Sequence, residues 1–419
     1  MRLVVAGGGY VGLTTATGFA RLGHRVDVVE IDPYRAGLLR QGVLPFQEPS
    51  LARAFEEQVR HGGIDVHADY EGLLGHVDFA FICTSTPMTM HGSLDTTQVF
   101  AAAQMLLHSP AMPRKLVVRS TVNPGTIARL EQRLRLDEDV RFLMNPEFLR
   151  EGCSLVDFET PSRIVVGASD RAAAESLMAL YEFSDTPKIV TDAKTAELIK
   201  LASNAALAVR VSMANEIAHV AEWAEADVEC LLQAVGYDPR IGSDYLKPGL
   251  GFGGSCLPKD LAAFRSTALQ TGLTTPTFDG ASLTNDKVIG RLAARVIESA
   301  RLQEHSRVSI IGVGFKAGSD SLRNSQAARL VRTLLDHGFE LTIYDPVAEG
   351  NARREFADLV SYAGSVDEVL QTSSVLVVLD HGLFDCMAPE LSEQVVIDAL
   401  GRRLSGGRAL AENVTYGHR

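Results

Sequence analysis

No stretch of the 419-residue sequence carries the roughly 20 uninterrupted apolar residues that a bilayer-spanning helix needs. A helical membrane anchor is therefore not expected. The opening Met1-Arg2-Leu3-Val4-Val5-Ala6-Gly7 reads as a buried strand rather than a signal peptide, so the expected location is cytoplasmic. Cysteine is scarce: Cys83, Cys153, Cys230, Cys256 and Cys386 are scattered, odd in number and without a C-x-x-C pair. That points away from a disulfide framework and from a zinc site, and no metal is expected. Positive charge is also short, and a formal net charge of −12 argues against a nucleic-acid groove or an anionic membrane surface as partner. Small anionic ligands remain compatible with it. What is present, 46% apolar and 22% charged residues, describes a globular chain long enough for two or three cores.

The first residues are a short apolar run followed by Gly7-Gly8-Gly9-Tyr10-Val11-Gly12, a helical stretch through Leu22, and a second apolar run, 25–29, ending at Glu30. Strand, G-x-G-x-x-G, helix, strand and acid in this order form the pattern that lays a pyrophosphate on a helix N-terminus and a ribose diol on a carboxylate. A dinucleotide is expected there. An acid at the ribose position favours NAD over NADP, although Arg35 lies close by in sequence. The apolar runs 77–83 and 115–119 each end in a polar loop, Thr84-Ser85-Thr86-Pro87 and Ser120-Thr121-Val122-Asn123-Pro124-Gly125, which in a doubly wound sheet lies on the ligand side. Simple turn chemistry would explain one such loop alone. After a further strand, 141–144, Glu147 and Glu151 stand four apart, a spacing equally compatible with surface ion pairs on a helical turn.

From Asp192 to about Asp227 the chain reads as one helix without Gly or Pro, apolar or small nearly all round, which predicts a buried spine or subunit interface. Lys200 and Asn204, four apart in that stripe, need polar partners unless the lysine reaches out to solvent. A loop-rich stretch then delivers Arg240, Tyr245 and Lys247, which either grip a phosphate or line an ordinary solvated loop. It leads into Gly251-Phe252-Gly253-Gly254-Ser255-Cys256-Leu257-Pro258-Lys259-Asp260. Pro258 suits the first turn of a helix, so Cys256 falls just ahead of a helix start, where free N–H groups, the dipole and Lys259 favour a thiolate. A small buried hydrophobe is the alternative for a lone cysteine. The last third repeats the opening as 307–311, a G-x-G at Gly312 and Gly314, a helix over 327–337, and a strand, 340–344, ending at Asp345, with further strands at 375–379 and 394–399. The third glycine is absent and Lys316 and Arg323 occupy the loop, which suits a second phosphorylated nucleotide, or else a purely structural α/β domain. The expected fold is α/β: two Rossmann-like doubly wound domains, 1–194 and 305–419, joined by a central helical domain, 195–304, with one long spine helix.

Gly-Gly-Gly-Tyr-Val-Gly-Leu at 7–13, Ser-Thr-Val with Pro-Gly-Thr at 120–126, Asn-Pro-Glu-Phe-Leu-Arg-Glu-Gly at 145–152, Lys200 with Asn204, the 251–260 motif, and Gly-Phe-Lys-Ala-Gly-Ser-Asp-Ser-Leu-Arg at 314–323 together resemble the UDP-glucose/GDP-mannose dehydrogenases. The likeness spans nearly the whole chain in the family's order. It implies an NAD-dependent four-electron oxidation of a nucleotide-sugar C6 alcohol to a uronic acid, consuming two NAD and one water. Cys256 matches the nucleophile, Lys200 and Asn204 the oxyanion pair, Asp260 with Thr121 the proton-handling group, and Glu151 the residue assisting thioester hydrolysis. Gly7, Gly9, Tyr10, Val11, Gly12, Glu30, Arg35, Thr84, Thr86, Thr121, Glu151 and Lys259 are the implied cofactor contacts. Glu147, Phe148, Leu149, Lys200, Asn204, Arg240, Tyr245, Lys247, Gly253, Phe315, Lys316 and Arg323 are the implied nucleotide-sugar contacts, Arg240 reaching across the interface of a homodimer.

Two departures stand out. Ser321 and Asn324 replace acids of the family's C-terminal Asp-Asp-x-Arg-Glu/Asp-Ser loop, and 398–403 lacks the Asp-Gly-Arg-Asn pattern common in the UDP-glucose enzymes. Asp-Pro-Arg-Ile-Gly at 238–242 favours UDP-glucose as substrate, while Lys-Ala-Gly-Ser-Asp at 316–320 is similar to the GDP-mannose branch.

Overall fold

The opening apolar run folds as strand β1 (Arg2–Ala6), from which helix α1 (Tyr10–Arg21) leads to β2 (Arg25–Val29). The computed structural model describes residues 1–134, 139–302, 307–372, 375–379, 382–383, 395–399 and 408–409. Two compact units emerge, one of Met1–Ser203 with Ala262–Thr274, the other of Asn204–Leu261 with the chain from Thr275 onward.

In the first unit the chain continues through α2 (Pro33–Arg40), α3 (Pro49–Arg60), β3 (Ile64–His67), β4 (Phe79–Ile82), α4 (Thr97–His108), β5 (Lys115–Val118), α5 (Thr126–Leu134), β6 (Arg141–Met144), α6 (Ser154–Glu159), β7 (Ile164–Gly167), α7 (Arg171–Met178) and β8 (Lys188–Thr191). The eight strands lie in the order β3-β2-β1-β4-β5-β6-β7-β8, parallel except where β7 meets β6. Helices cover both faces, so the central strands are buried on both sides and read as continuous apolar runs; Phe19, Phe81, Val117 and Leu143 lie in the core of one face, Val4, Ile82 and Val118 in that of the other. The strand order reverses between β1 and β4, and the crevice beyond their carboxyl ends is the place such a sheet offers to a ligand.

The spine helix is α8 (Ala193–Trp223), 31 residues, its early turns in the first unit and its remainder in the second. It is followed by α9 (Val228–Gly236), α10 (Leu257–Gln270) and α11 (Pro276–Leu302). Within the chain α8 is not buried all round: Leu198, Met213, Val220 and Trp223 are exposed, the last 81% accessible, so of the two expectations for this helix, buried spine or subunit interface, burial within one chain covers only part of its surface.

The second sheet is built from β9 (Arg307–Ile311), α12 (Gln326–Asp336), β10 (Glu340–Tyr344), α13 (Glu349–Phe356), β11 (Ser361–Tyr362), α14 (Val366–Thr372), β12 (Val375–Val378), β13 (Val395–Asp398) and β14 (Arg408–Ala409). Its order, β11-β10-β9-β12-β13-β14, all parallel, is the arrangement of the first six strands of the first sheet over again. Both Rossmann-like sheets and the long helix are as expected. Among the described residues no helix is long and apolar enough to cross a membrane.

Candidate active site

The glycine-rich turn after β1 is held by close backbone approach. A Cβ on Gly12 would lie 1.9 Å from the Gly7 carbonyl oxygen, and one on Gly7 2.7 Å from that of Cys83, so any side chain there would push α1 away from β1 and β4. Gly9 is the N-cap of α1 without a side-chain cap bond, and a Cβ there would meet nothing within 4 Å. The first turn of α1 therefore presents its N–H groups to open space, as an anion site requires. Val11 packs against the core behind it. Glu30, at the end of β2, accepts hydrogen bonds from the N–H groups of Gly8 (3.2 Å) and Asp32 (3.0 Å). The Arg35 guanidinium donates to the Gly8 carbonyl at 2.8 Å and lies 3.6 Å from Glu30. Arg35 thus braces the turn, and its charge is directed inward at Glu30.

The two polar loops beyond β4 and β5 are tied to each other. Thr86 donates to the Thr121 carbonyl (2.7 Å) and Ser120 to the Thr84 carbonyl (2.7 Å). The buried Thr84 hydroxyl has no hydrogen-bond partner among the described residues, which is costly unless a ligand supplies one. An open helix N-terminus, a ribose-side carboxylate and an orphan hydroxyl beyond β4 fit the pyrophosphate and riboses of NAD. Cys83, next to Thr84, is inert: burial pushes its thiol up to about 12.

Residues 145–150, expected as a possible helical turn, form no regular element, and Glu147 is no surface group. Its carboxylate lies 2.9 Å from the Lys200 ammonium and accepts the Leu149 N–H at 2.7 Å. Burial alone would raise its pKa, but Lys200, the Leu149 N–H and Arg119 outweigh it and hold the carboxyl below the ordinary carboxylate range. Lys200 itself is only 3% exposed, with the Phe148 ring 5.6 Å away on another side. It does not reach out to solvent. The Arg163 guanidinium covers the same ring at 3.6 Å.

Glu151 sits on a turn whose anchor is remote in sequence. The anchor is Glu48, which is buried and accepts from the Gly152 N–H (3.2 Å), the Ser154 N–H (2.9 Å) and the Ser154 hydroxyl (2.7 Å). The Tyr10 hydroxyl donates to the Arg150 carbonyl (3.0 Å) and accepts from Gly152 (2.7 Å), and burial together with Glu48 raises its pKa. Tyr10 joins the glycine turn to the Glu151 turn.

In the second unit, α10 begins at Leu257 and its first backbone bond runs from the Asp260 N–H to the Cys256 carbonyl at 2.9 Å. Cys256 is thus the N-cap, as Pro258 predicts, and it is exposed rather than a buried hydrophobe. Asp260 is wholly buried. It accepts from the Asn204 amide at 2.6 Å and from the Lys259 ammonium at 2.6 Å. Asn204 thereby connects α8 to the first turn of α10, in which Cys256 stands one turn before Asp260. The glycine stretch ahead of Cys256 is fixed by residues that its sequence does not announce. Asn285 accepts the Phe252 N–H (2.7 Å) and donates to the Phe252 carbonyl (3.1 Å), and Asn324 donates to the Gly254 carbonyl (3.1 Å). A Cβ on Gly253 would come within 2.5 Å of the Asn324 carbonyl, and one on Gly254 within 2.8 Å of the Phe315 ring.

Of the other nucleotide-sugar candidates, Arg240 is exposed and paired with Asp238 at 2.6 Å, Tyr245 holds a positive φ of 59°, and Lys247 is exposed. Lys316 and Arg323 are exposed in the loop after β9, with Lys316 6.0 Å from the Phe315 ring centre. Residues 400–403 of the C-terminal departure lie outside the described residues.

The chain matches the NAD binding domain of the UDP-glucose/GDP-mannose dehydrogenase family over residues 1–185, the family's central domain over 194–287 and its UDP binding domain over 309–402. It is 37% identical to UDP-glucose 6-dehydrogenase AglM of Haloferax volcanii, over 96% of this chain and 97% of that one. It is 30% identical to a GDP-mannose 6-dehydrogenase of Pseudomonas savastanoi, over 96% of both. A solved UDP-glucose dehydrogenase from Pyrobaculum islandicum superposes with a TM-score of 0.88 at 34% identity, over 97% of this chain and 95% of that one. With all three domains in order and the glycine turn, the lysine–asparagine pair and the cysteine cap in place, the chain belongs to the NAD-binding UDP-glucose/GDP-mannose dehydrogenase family.

Proposed function

We propose that the protein oxidises the C6 alcohol of UDP-glucose to the carboxylate of UDP-glucuronate, with Cys256 as nucleophile. The observation that carries this reading is the Asn204–Asp260 bond of 2.6 Å, which locks the polar stripe of α8 onto the helix that Cys256 caps. NAD, when bound, accepts the hydride in each of the two oxidations. Lys200, ion-paired with Glu147, and the Asn204 amide stabilise the alkoxide that develops at C6. The Cys256 thiolate, favoured by its N-cap position, adds to the aldehyde carbon to give a thiohemiacetal, so the half-oxidised sugar stays attached. Oxidation of that adduct leaves a thioester. Water, positioned by Glu151, cleaves it to carboxylate and free thiolate, and Asp260 with Thr121 handles the proton. One alcohol, two NAD and one water give one carboxylate, two NADH and three protons.

Arg240, Tyr245, Lys247, Lys316 and Arg323 bind the nucleotide sugar in this reading. Residues 1–194, 195–304 and 305–419 act as cofactor, central and nucleotide-sugar domains. Val220 and Trp223, beside an apolar concavity of about 330 Å³ lined by Ile217, Ala221, Ala224, Ala226 and Leu231, support a homodimer formed on the end of α8. Cys153, Cys230 and Cys256, exposed and in no disulfide, suit a reducing, cytoplasmic setting. GDP-mannose is the second substrate reading, favoured by Lys-Ala-Gly-Ser-Asp at 316–320.

The test is stoichiometry. With excess NAD and limiting sugar nucleotide, the true substrate yields two NADH per molecule consumed. One NADH, or none with UDP-glucose, GDP-mannose, UDP-galactose or an N-acetylated analogue, rejects the reading. Cys256→Ser is expected to lose four-electron turnover, and its retention would reject the thioester route.

A further inference from the structure

One side chain of α8 is committed to a loop rather than to the helix core. The Arg210 guanidinium donates to three backbone carbonyls: Asp244 through Nε (2.8 Å), Ile241 (2.7 Å) and Gly242 (2.8 Å) through its terminal nitrogens. All three belong to a tight irregular segment between α9 and the glycine stretch. Gly242 (φ 75°) and Tyr245 (φ 59°) both have left-handed backbone there, a conformation that a non-glycine residue such as Tyr245 holds only when the surroundings impose it. A planar guanidinium with donors in a fixed fork can satisfy three diverging carbonyls at once, which an ammonium on a flexible stem cannot do with the same geometry.

We infer that Arg210 is a positioning residue for nucleotide-sugar binding: it holds the 240–247 segment in the conformation that presents Arg240, Tyr245 and Lys247. The inference rests on the reading that this segment contacts the nucleotide sugar. Arg210 itself touches neither sugar nor cofactor. Its loss acts on the population of the binding-competent loop, and apparent affinity falls by the fraction of molecules in which the loop is formed. If that fraction drops to about one tenth, KM for the nucleotide sugar rises about tenfold while turnover at saturation is kept.

The experiment uses the full-length protein with Arg210→Met and Arg210→Lys. Initial rates are measured with UDP-glucose varied at saturating NAD, then with NAD varied at saturating UDP-glucose. The expected result is a KM for UDP-glucose raised about tenfold in both variants, with KM for NAD and kcat within about twofold of the parent, as a purely population effect requires. A lysine variant with the parental KM, or kcat and both KM values shifting together, would overturn the inference. Amide hydrogen exchange of residues 240–247 is followed in parallel in the unliganded proteins. It needs no turnover, so it separates failure of this inference from failure of the proposed activity. Faster exchange confined to that segment in Arg210→Met is expected, and unchanged exchange overturns the inference even if the parent oxidises none of the sugars tried.

Discussion

Glu147→Gln removes one charge from a pair that has almost no contact with water. Glu147 and Lys200 are 2.9 Å apart with side chains 7% and 4% exposed, so neither is screened as a surface pair would be. Glutamine keeps the volume and an oxygen for the Leu149 N–H, but leaves the Lys200 ammonium buried beside the Phe148 ring without its carboxylate. Breaking a buried pair from one side costs about 3–5 kcal/mol, because the remaining buried charge loses its counter-ion. For a unit of about 200 residues each kcal/mol lowers the midpoint by about 2–4 °C, so a fall of roughly 6–20 °C is expected at pH 7. The pH dependence carries the sign. A carboxyl whose folded pKa lies below its unfolded value contributes stability above the unfolded pKa, near 4.3 for glutamate, and loses it as pH falls through the folded value. Glu147 is shifted down in this way. The gap between parent and variant is therefore level above about pH 5 and closes only on further acidification, once the parent's own carboxyl is protonated. Thermal unfolding followed by circular dichroism at pH 7, 5 and 3.5 measures it. A variant melting within about 2 °C of the parent at pH 7, well short of the shift a broken buried pair should give, or a gap that widens toward acid, would refute the reasoning.

Other substitutions test other parts of the site. Gly12→Ala places a methyl 1.9 Å from the Gly7 carbonyl oxygen, a contact only backbone movement can relieve, and is expected to abolish NAD binding by isothermal titration; parental affinity would mean that α1 shifts without cost. Glu30→Gln keeps the side-chain volume but removes the charge and turns an amide NH2 toward one of the two backbone donors, Gly8 or Asp32, and is expected to narrow the preference for NAD over NADP in the ratio of kcat/KM values. Val220→Glu puts a charge beside the apolar concavity at the end of α8 and is expected to convert a dimer to monomers in light scattering. A dimer that persists would place the interface elsewhere.

The central strands of both sheets were legible because each is a short apolar run bounded by glycine or polar loops, and the cap at Cys256 because Pro258 fixes where α10 can start; β3, β7, β8, β11 and β14 went unnamed, β3 because Ile-Asp-Val-His is half polar and β11 and β14 because they are two residues long. The setting of Glu147 was not legible. Its spacing from Glu151 is that of neighbours on a helix, but the segment is irregular and the Glu147 carboxylate is buried against Lys200. Spacing rules apply only once the local conformation is known. Glu48, Asn285 and Asn324 were missed for another reason: each bonds to backbone far away in sequence, 104 residues in the case of Glu48 and Gly152. A polar side chain that satisfies remote peptide groups looks, in a single sequence, like any polar residue near a helix end or in a loop.

The two acids that close the second strand of each sheet show why one pattern read twice need not give one ligand twice. An ionised carboxylate has about four lone-pair positions. Asp345, at the end of β10, gives all of them to the protein: Val313 (2.8 Å) and Gly314 (3.2 Å) in the loop after β9, and Val347 (3.0 Å) and Ala348 (2.8 Å) in the turn before α13. Glu30 accepts two backbone N–H groups, those of Gly8 and Asp32, and has the Arg35 guanidinium 3.6 Å away, so not all of its lone pairs are taken by backbone. A ribose diol can therefore bond to Glu30 but would have to displace backbone from Asp345. With its acid saturated, the second sheet needs another source of affinity for a nucleotide; in the proposed function that source is the exposed pair Lys316 and Arg323, which stand where the glycine pattern lapses and carry the charge a diphosphate requires. In the proposed reading the missing third glycine and the saturated acid go together: the first sheet takes a ribose beside a helix N-terminus, and the second takes phosphate charge.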